Sequence, residues 1–433
     1  MTKSDEAVAD PIAPVERAVR GRGGRFEFLD ALRGLAALAV VIQHCSIGLW
    51  PGFQRFSAGI FEPGQFGVFV FFLVSGFIIP TSLERGRSLG AFWVGRFFRL
   101  YPLFWACLIA AMIMYAVGRY PLSSSFLTNP VWNLATNATM THLFLFASQR
   151  EDLVVGIAWT LTYELVFYMF VSLLFLGRFL PRSVPVAVLA LSAMVPLALI
   201  PPGLLNGPQA NWTTRLGVVI VTALVAAIFA LRAVNRRNAV IALPLAVIAV
   251  PLVLNQPGPT GYSAAVFATM FVGTVLYRMT RGETTTGIGW GVFGLAVFLI
   301  TVLWFVTFGE HVDPDTGTFV GWYKDVAAMV GAYMFFGAAL LLRRHSFPRP
   351  LLFLGRISYS LYLVHLLVLN GLPRWTTSVA GIPAVWLTWC TWVGSTLLIA
   401  TLTYYALEKP FHDLGHRLIA EMKARARPVP AMA

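Results

Sequence analysis

The sequence predicts an all-α, polytopic transmembrane bundle of about 10–12 helices with both termini cytoplasmic, on three observations. Only 12% of the 433 residues are charged and 58% are hydrophobic, where a soluble domain carries about 25% charged residues. Apolar runs of roughly 16–22 residues recur along the chain, each able to cross a hydrocarbon core of ~30 Å as a helix. The excess of 32 Lys plus Arg over 19 Asp plus Glu collects in alternate loops, which is the positive-inside pattern.

Net charge is +13. In a soluble chain that surplus would suggest nucleic acid; here the cations read as topology signals, and no nucleic-acid partner is expected. Cys45, Cys107 and Cys390 lie within apolar runs without metal-like spacing, so neither a disulfide framework nor a metal is expected.

Taken in order, residues 1–27 are polar, with Pro11, Pro14 and a Gly/Arg stretch from Arg20 to Arg25. They read as a disordered cytoplasmic tail. No cleavable signal peptide is visible, so the first hydrophobic helix acts as an uncleaved anchor. Spans are predicted at 32–50, 66–81, 100–118, 158–176, 184–201, 214–232, 239–254, 262–278, 288–308, 324–342, 357–373 and 382–406. Cations follow every second span: Arg85, Arg87, Arg96 and Arg99, then Arg178 and Arg182, then Arg232, Arg236 and Arg237, then Arg278 and Arg281, then Arg343, Arg344, Arg349 and Arg356. The other loops hold Glu151, Asp152, Glu310, Asp313 and Asp315. Merging two neighbouring spans into one broken pair gives ten and keeps the parity. The transmembrane domain is placed at 28–411 and a cytoplasmic tail at 412–433. The loop from Tyr120 to Ala158 is partly apolar (Phe144, Leu145, Phe146) and reads as a cap over the bundle or a re-entrant segment.

Five constellations carry chemistry. His44 follows Arg33 by eleven residues, almost three whole helical turns and ~16 Å of rise, so both side chains leave one face. Two readings stand for His44: a neutral ring hydrogen-bonded to a neighbouring helix, or a base. Glu164 should lie at a similar depth, sharing a helix face with Thr160 and Tyr168. A carboxylate beside a histidine is the orienter-plus-base part of general-base catalysis. Ser75, in the segment Gly67 to Phe77, falls in the inner half, where its hydroxyl can meet a ligand from the cytoplasm. Arg96 and Arg99 share a helix face near Arg33; they suit phosphates, though positive-inside anchoring alone accounts for them. His365 falls near mid-membrane in the segment Gly355 to His365, with Tyr359 and Tyr362 lining a cavity or an interfacial belt. His142, His311, His345, His412 and His416 read as exposed.

Together these segments resemble acyltransferase family 3, the integral-membrane acyltransferases that O-acylate bacterial surface polysaccharides and some secreted small molecules. The resemblance rests on Phe28-Leu29-Asp30-Ala31-Leu32-Arg33-Gly34 leading to His44, on Gly67 to Phe77, Arg96 to Pro102, Trp159 to Tyr168, Gly355 to His365, and Glu408-Lys409-Pro410-Phe411. It spans nearly the whole chain in the family's order. It implies an acyl-CoA donor, usually acetyl-CoA, bound from the cytoplasm without a metal. The acceptor it implies is a hydroxyl, commonly on exopolysaccharide or lipopolysaccharide outside the bacterial inner membrane. The family's arginine-to-histidine motif maps onto Arg33 and His44, its serine-glycine-phenylalanine segment onto Ser75, Gly76 and Phe77, and its inner arginine motif onto Arg96 and Arg99. Two departures stand out. Phe69 replaces an acidic residue common in relatives, and Gly95 replaces the first of two adjacent arginines.

The expected mechanism places the coenzyme's phosphates on Arg33, Arg96 and Arg99 and its arm past Ser75. His44, oriented by Glu164, deprotonates the acceptor, and Trp159, Tyr168 and His365 contact substrate. The alternative is a proton-coupled transporter or flippase of a polysaccharide precursor, with His44, Glu164 and His365 as the proton path. A homo-oligomer is compatible with either.

Overall fold

The computed structural model describes residues 26–86, 88–143, 152–199, 212–230, 243, 245–247, 260–308, 310–312 and 319–425. The tail predicted over residues 1–25, most of the seventh predicted span (239–254), Phe144, Leu145, Phe146, Arg87, Glu151, Arg232, Arg236, Arg237, Asp313, Asp315 and residues 426–433 lie outside them.

The helices run α1 Glu27–Ile47, α2 Pro51–Gly59, α3 Pro63–Gly86, α4 Leu89–Ala116, α5 Ser124–Thr128, α6 Pro130–Ala138, α7 Trp159–Leu176, α8 Ser183–Ala198 and α9 Trp212–Ala230. Then come α10 Thr260–Thr280, α11 Thr286–Phe308, α12 Trp322–Leu341, α13 Arg349–Arg356, α14 Ser358–Gly371, α15 Ala384–Thr403 and α16 Lys409–Arg425. A helix occupies each of the other eleven predicted spans within the described residues. Among the described residues, eight helices are long and apolar enough to cross a membrane. A ninth forms if α13 and α14, bent by 69°, are one broken span. The described strands are β1 Glu310–Val312 and β2 Phe319–Gly321, an antiparallel ribbon between α11 and α12 with His311 opposite Val320.

Small residues set how closely the helices approach. A Cβ on Gly76 of α3 would stand 1.8 Å from the Met270 carbonyl oxygen of α10, and one on Gly273 would stand 2.4 Å from that of Leu73. A Cβ on Gly355 would stand 2.0 Å from the Asp30 carbonyl oxygen. Lipid tails are as apolar as leucine, so close backbone packing of this kind, not hydrophobic burial, joins membrane helices. These contacts lock α3 to α10 and α13 to α1. Arg278, predicted as a topology cation, is 8% exposed and ion-paired to both Glu84 and Glu283.

Glu27 and α16 mark the tail end of the bundle; the loop between α4 and α7 closes the opposite, cap end. The described residues of that loop pack as a cap. Asp152 accepts from Ser123 Oγ at 3.0 Å and from Ser125 Oγ at 2.5 Å, and Asn137 Nδ2 donates to its carbonyl at 3.0 Å. Met140 and Val154 are fully buried. His142, predicted as exposed, is fully buried and pairs with Thr162 Oγ1 at 3.2 Å. The chain also extends past the predicted last span. A π-turn over Tyr404–Glu408 leads from α15 into α16. The tail predicted over 412–433 therefore begins as a helix docked along α4: Gly415 against Phe98, Ile419 over Gly95, Met422 over Gly90. The glycine that replaces a family arginine at position 95 makes room for Ile419.

Candidate functional site

α4 holds 28 residues, about 42 Å of helix against a ~30 Å core. Ser88 caps it, its side chain accepting from the Ala91 amide at 3.3 Å. The excess length sits at the tail end and carries Arg96 and Arg99. Three adjoining cavities of about 70, 330 and 620 Å³ open there, and Arg33 and Arg99 line all three. Neither guanidinium makes a hydrogen bond or ion pair with any described residue. Arg96 donates to Ser82 Oγ at 3.2 Å and lies over the rings of Phe92 and Tyr168. Its Nε is buried without a partner. Lys423, His412 and His416 complete the middle cavity; Arg85, Arg356 and Lys409 line the widest. His416 is exposed as expected and His412 is half-buried; both border the site.

The smallest cavity is the deepest. Ser75, Thr160, Glu164, Tyr359 and Tyr362 line it together with the two arginines and the apolar Phe71 and Phe72. Glu164 accepts from Tyr168 Oη at 2.5 Å and from Ser75 Oγ at 3.3 Å. Thr160, Glu164 and Tyr168 therefore do share a face, and Ser75 meets them. Tyr168 is fully buried beneath Arg96, so it supports Glu164 and the arginine and is closed to direct contact with an acceptor. Trp159 is 8% exposed in an aromatic cluster with Tyr163 and Tyr262.

His44 stands apart from this group. Its Nδ1 lies 2.9 Å from the Val40 carbonyl oxygen and 3.3 Å from Nε2 of His365. His365 is fully buried, and its Nδ1 lies 2.7 Å from the Tyr362 carbonyl oxygen. Both ring nitrogens are engaged, so His365 contacts a second imidazole where substrate contact was expected. No hydrogen bond or ion pair among the described residues joins His44 to Glu164: the carboxylate lines the cavities with Arg33, Arg99 and Ser75. The reason is where α7 starts. Apart from the exposed Gly156, the chain is already buried from Asp152 to Ala158, so α7 begins packed within the bundle and presents Glu164 to the cavities that hold the arginines.

Tyr362 connects the two centres. Its hydroxyl meets Thr160 Oγ1 at 3.0 Å at the cavity wall, its ring packs on Phe71, and its carbonyl faces His365. A residue that spacing did not single out is Glu408. The π-turn buries it to 8% exposure, and its carboxylate accepts from Ser360 N at 3.2 Å and Oγ at 2.7 Å beside the widest cavity. Its place in a Glu-Lys-Pro-Phe run at the end of an apolar stretch was the one available signal. Among the described residues, no group of three or more His, Cys, Asp or Glu side chains has metal-holding geometry.

Comparison with known proteins agrees with this layout. A family described as an acyltransferase domain matches residues 26–408. Peptidoglycan O-acetyltransferase OatA of Listeria monocytogenes is 28% identical over 33% of this chain and 22% of its own length. Acyltransferase MdmB of Streptomyces mycarofaciens is 29% identical over 34% of this chain and 38% of its own. The chain thus matches well under half the length of both. Nodulation protein 10 of Rhizobium leguminosarum is 25% identical over 90% of this chain and 94% of its own length. No solved structure matches. With the family match running from the first turn of α1 to the buried Glu408, the chain belongs to acyltransferase family 3.

Proposed function

We propose that the protein is an O-acyltransferase of the bacterial inner membrane, with both termini in the cytoplasm. It moves an acyl group, acetyl in the first instance, from acyl-CoA to a hydroxyl of an extracytoplasmic carbohydrate. One observation carries this reading: two unpaired guanidiniums, Arg33 and Arg99, facing cavities that open at the tail end. Half-buried guanidiniums without an ion-pair partner among the described residues keep their donors for a ligand, and convergent arginines offer planar donors to phosphate oxygens. The two larger cavities fall in the range that holds a nucleotide-sized ligand. The names of OatA and MdmB, an O-acetyltransferase and an acyltransferase, support the same chemistry.

On this reading the coenzyme's phosphates lie against Arg33, Arg96 and Arg99. Its arm enters the deep chamber past Ser75 and Thr160, and the thioester passes the Phe71 and Tyr362 rings to reach His44. The imidazole takes the proton of the acceptor hydroxyl as the oxygen attacks the thioester carbonyl. The C–S bond breaks, and the proton passes from the imidazolium to the departing thiolate. General-base help of this kind is worth about 10²–10⁴-fold.

The test uses purified protein in lipid nanodiscs. Radiolabelled acetyl-CoA should bind, and thiol should be released when a carbohydrate acceptor is added. Thiol release before acceptor is added would instead indicate an acyl-histidine intermediate. No acyl-CoA binding, with carbohydrate moving across liposomes that contain the protein, would overturn the reading in favour of a transporter.

A further inference from the structure

The contacts between His44 and His365 assign the protons of both rings. The Tyr362 carbonyl can only accept, so Nδ1 of His365, 2.7 Å away, carries a hydrogen. In the neutral ring Nε2 is then a bare acceptor. That acceptor faces Nδ1 of His44 at 3.3 Å. Independently, the Val40 carbonyl lies 2.9 Å from the same Nδ1 and also demands a donor there. The two constraints agree: Nδ1 of His44 carries a hydrogen, shared between a carbonyl and an imidazole. A second proton on His365 would set donor against donor across 3.3 Å on a ring with no solvent exposure of its own.

One atom is left over. Nε2 of His44 has no hydrogen-bond partner among the described residues, and it is absent from the buried unsatisfied atoms. It is therefore a free lone pair within reach of a ligand. The cap-end carboxylate of Glu62 is occupied elsewhere, by Gln43 Nε2 at 3.2 Å and Lys324 at 3.7 Å.

We propose that His365 is the positioning residue for His44: as a neutral imidazole it accepts from Nδ1–H, fixes the ring plane, and leaves Nε2 as the atom that takes the acceptor's proton. This deepens the acyl-transfer reading and rests on it for the proton's origin; the ring assignment itself does not. A carboxylate in this position would stabilise the imidazolium by its charge. An imidazole supplies the same geometry without a fixed charge in a low-dielectric site. Glu164 is thereby released to the donor side.

Two variants and one spectrum test this. In ¹⁵N-histidine-labelled protein in nanodiscs without substrates, His44 should show a protonated Nδ1 and a pyridine-type Nε2, and His365 should be neutral with the same tautomer. His365→Leu removes one of the two acceptors of Nδ1–H and should lower kcat by about 10–10²-fold, part of the general-base contribution, with KM for acyl-CoA unchanged and the His44 Nδ1 signal shifted and broadened while the Val40 carbonyl keeps the hydrogen on Nδ1. His365→Gln can present an oxygen to Nδ1–H and should recover most of the rate and the wild-type Nδ1 signal. A wild-type spectrum with hydrogen on Nε2 of His44, or a charged His365, overturns the proposal. So does a leucine variant with unchanged rate and spectrum. A protein that shows the expected tautomers but never releases thiol would retain the ring assignment and defeat the acyl-transfer reading alone.

Discussion

At the tail end of α1, Arg33 shares three cavities with Arg99; neither makes an ion pair with a described residue, although the Glu164 carboxylate lines two of the same cavities. At its cap end, His44 is held through one nitrogen by a carbonyl and a second imidazole. Arg278 sharpens the contrast: it is more buried than either, and Glu84 and Glu283 neutralise it where α3 meets α10. An arginine that ties helices together carries its own counter-ions. An arginine pair without an ion-pair partner around open space fits the proposed phosphate-bearing donor. The histidine pair shows the opposite economy, with all but one polar atom satisfied from within. One end of the helix is built to bind charge and the other to hold a single lone pair in place.

The largest effect should separate the two ends outright. His44→Ala should reduce transfer by 10³-fold or more, beyond the ~10²–10⁴ range only if an acyl-histidine forms. Acyl-CoA binding by equilibrium dialysis should be unchanged, and a matching loss of binding would merge the two ends. Next in size, Arg33→Ala or Arg99→Ala should raise KM for acyl-CoA by about 10–100-fold, the equivalent of losing one charged hydrogen bond. The His44 ¹⁵N tautomer signal should stay as in wild type. A change in acceptor KM alone would contradict the assignment of these arginines to the donor.

Glu164→Gln decides to which end the carboxylate belongs. Grouped with Ser75, Tyr168 and the arginines, it should alter acyl-CoA KM several-fold while the His44 tautomer stays fixed. A tautomer change would restore the pairing expected from sequence. The smallest effect on chemistry should come from Gly76→Ala. Its Cβ meets the Met270 carbonyl oxygen at 1.8 Å, so overpacking should cost about 1–3 kcal/mol. Thermal unfolding in detergent should show a lowered midpoint, with near-normal turnover per folded molecule.

Composition and charge alternation made the membrane bundle legible, because lipid forces backbone groups into helices and admits few charges. Spacing within one helix was equally readable. Arg33 and His44 lie on one helix at opposite depths, and Thr160, Glu164 and Tyr168 meet as i, i+4, i+8 predicts. Depth across different helices was less readable, since it depends on where each helix starts. The buried approach to α7 moved Glu164 toward the arginines. The 69° bend between α13 and α14 left His365 beside His44.

The amino-acid sequence by itself determined the helical class, the apolar spans, the family motifs and the residue types available for chemistry. Local periodicity and hydrophobic transfer act on neighbours along the chain, so those features can be read from it. Only the tertiary structure decided which histidine faces His44, which carboxylate faces the arginines, and that the tail docks on α4 through Gly95 and Gly415. Each of these depends on how far one helix slides or tilts against another. Packing contacts between residues far apart in the chain set that offset, and no spacing within a single segment encodes it.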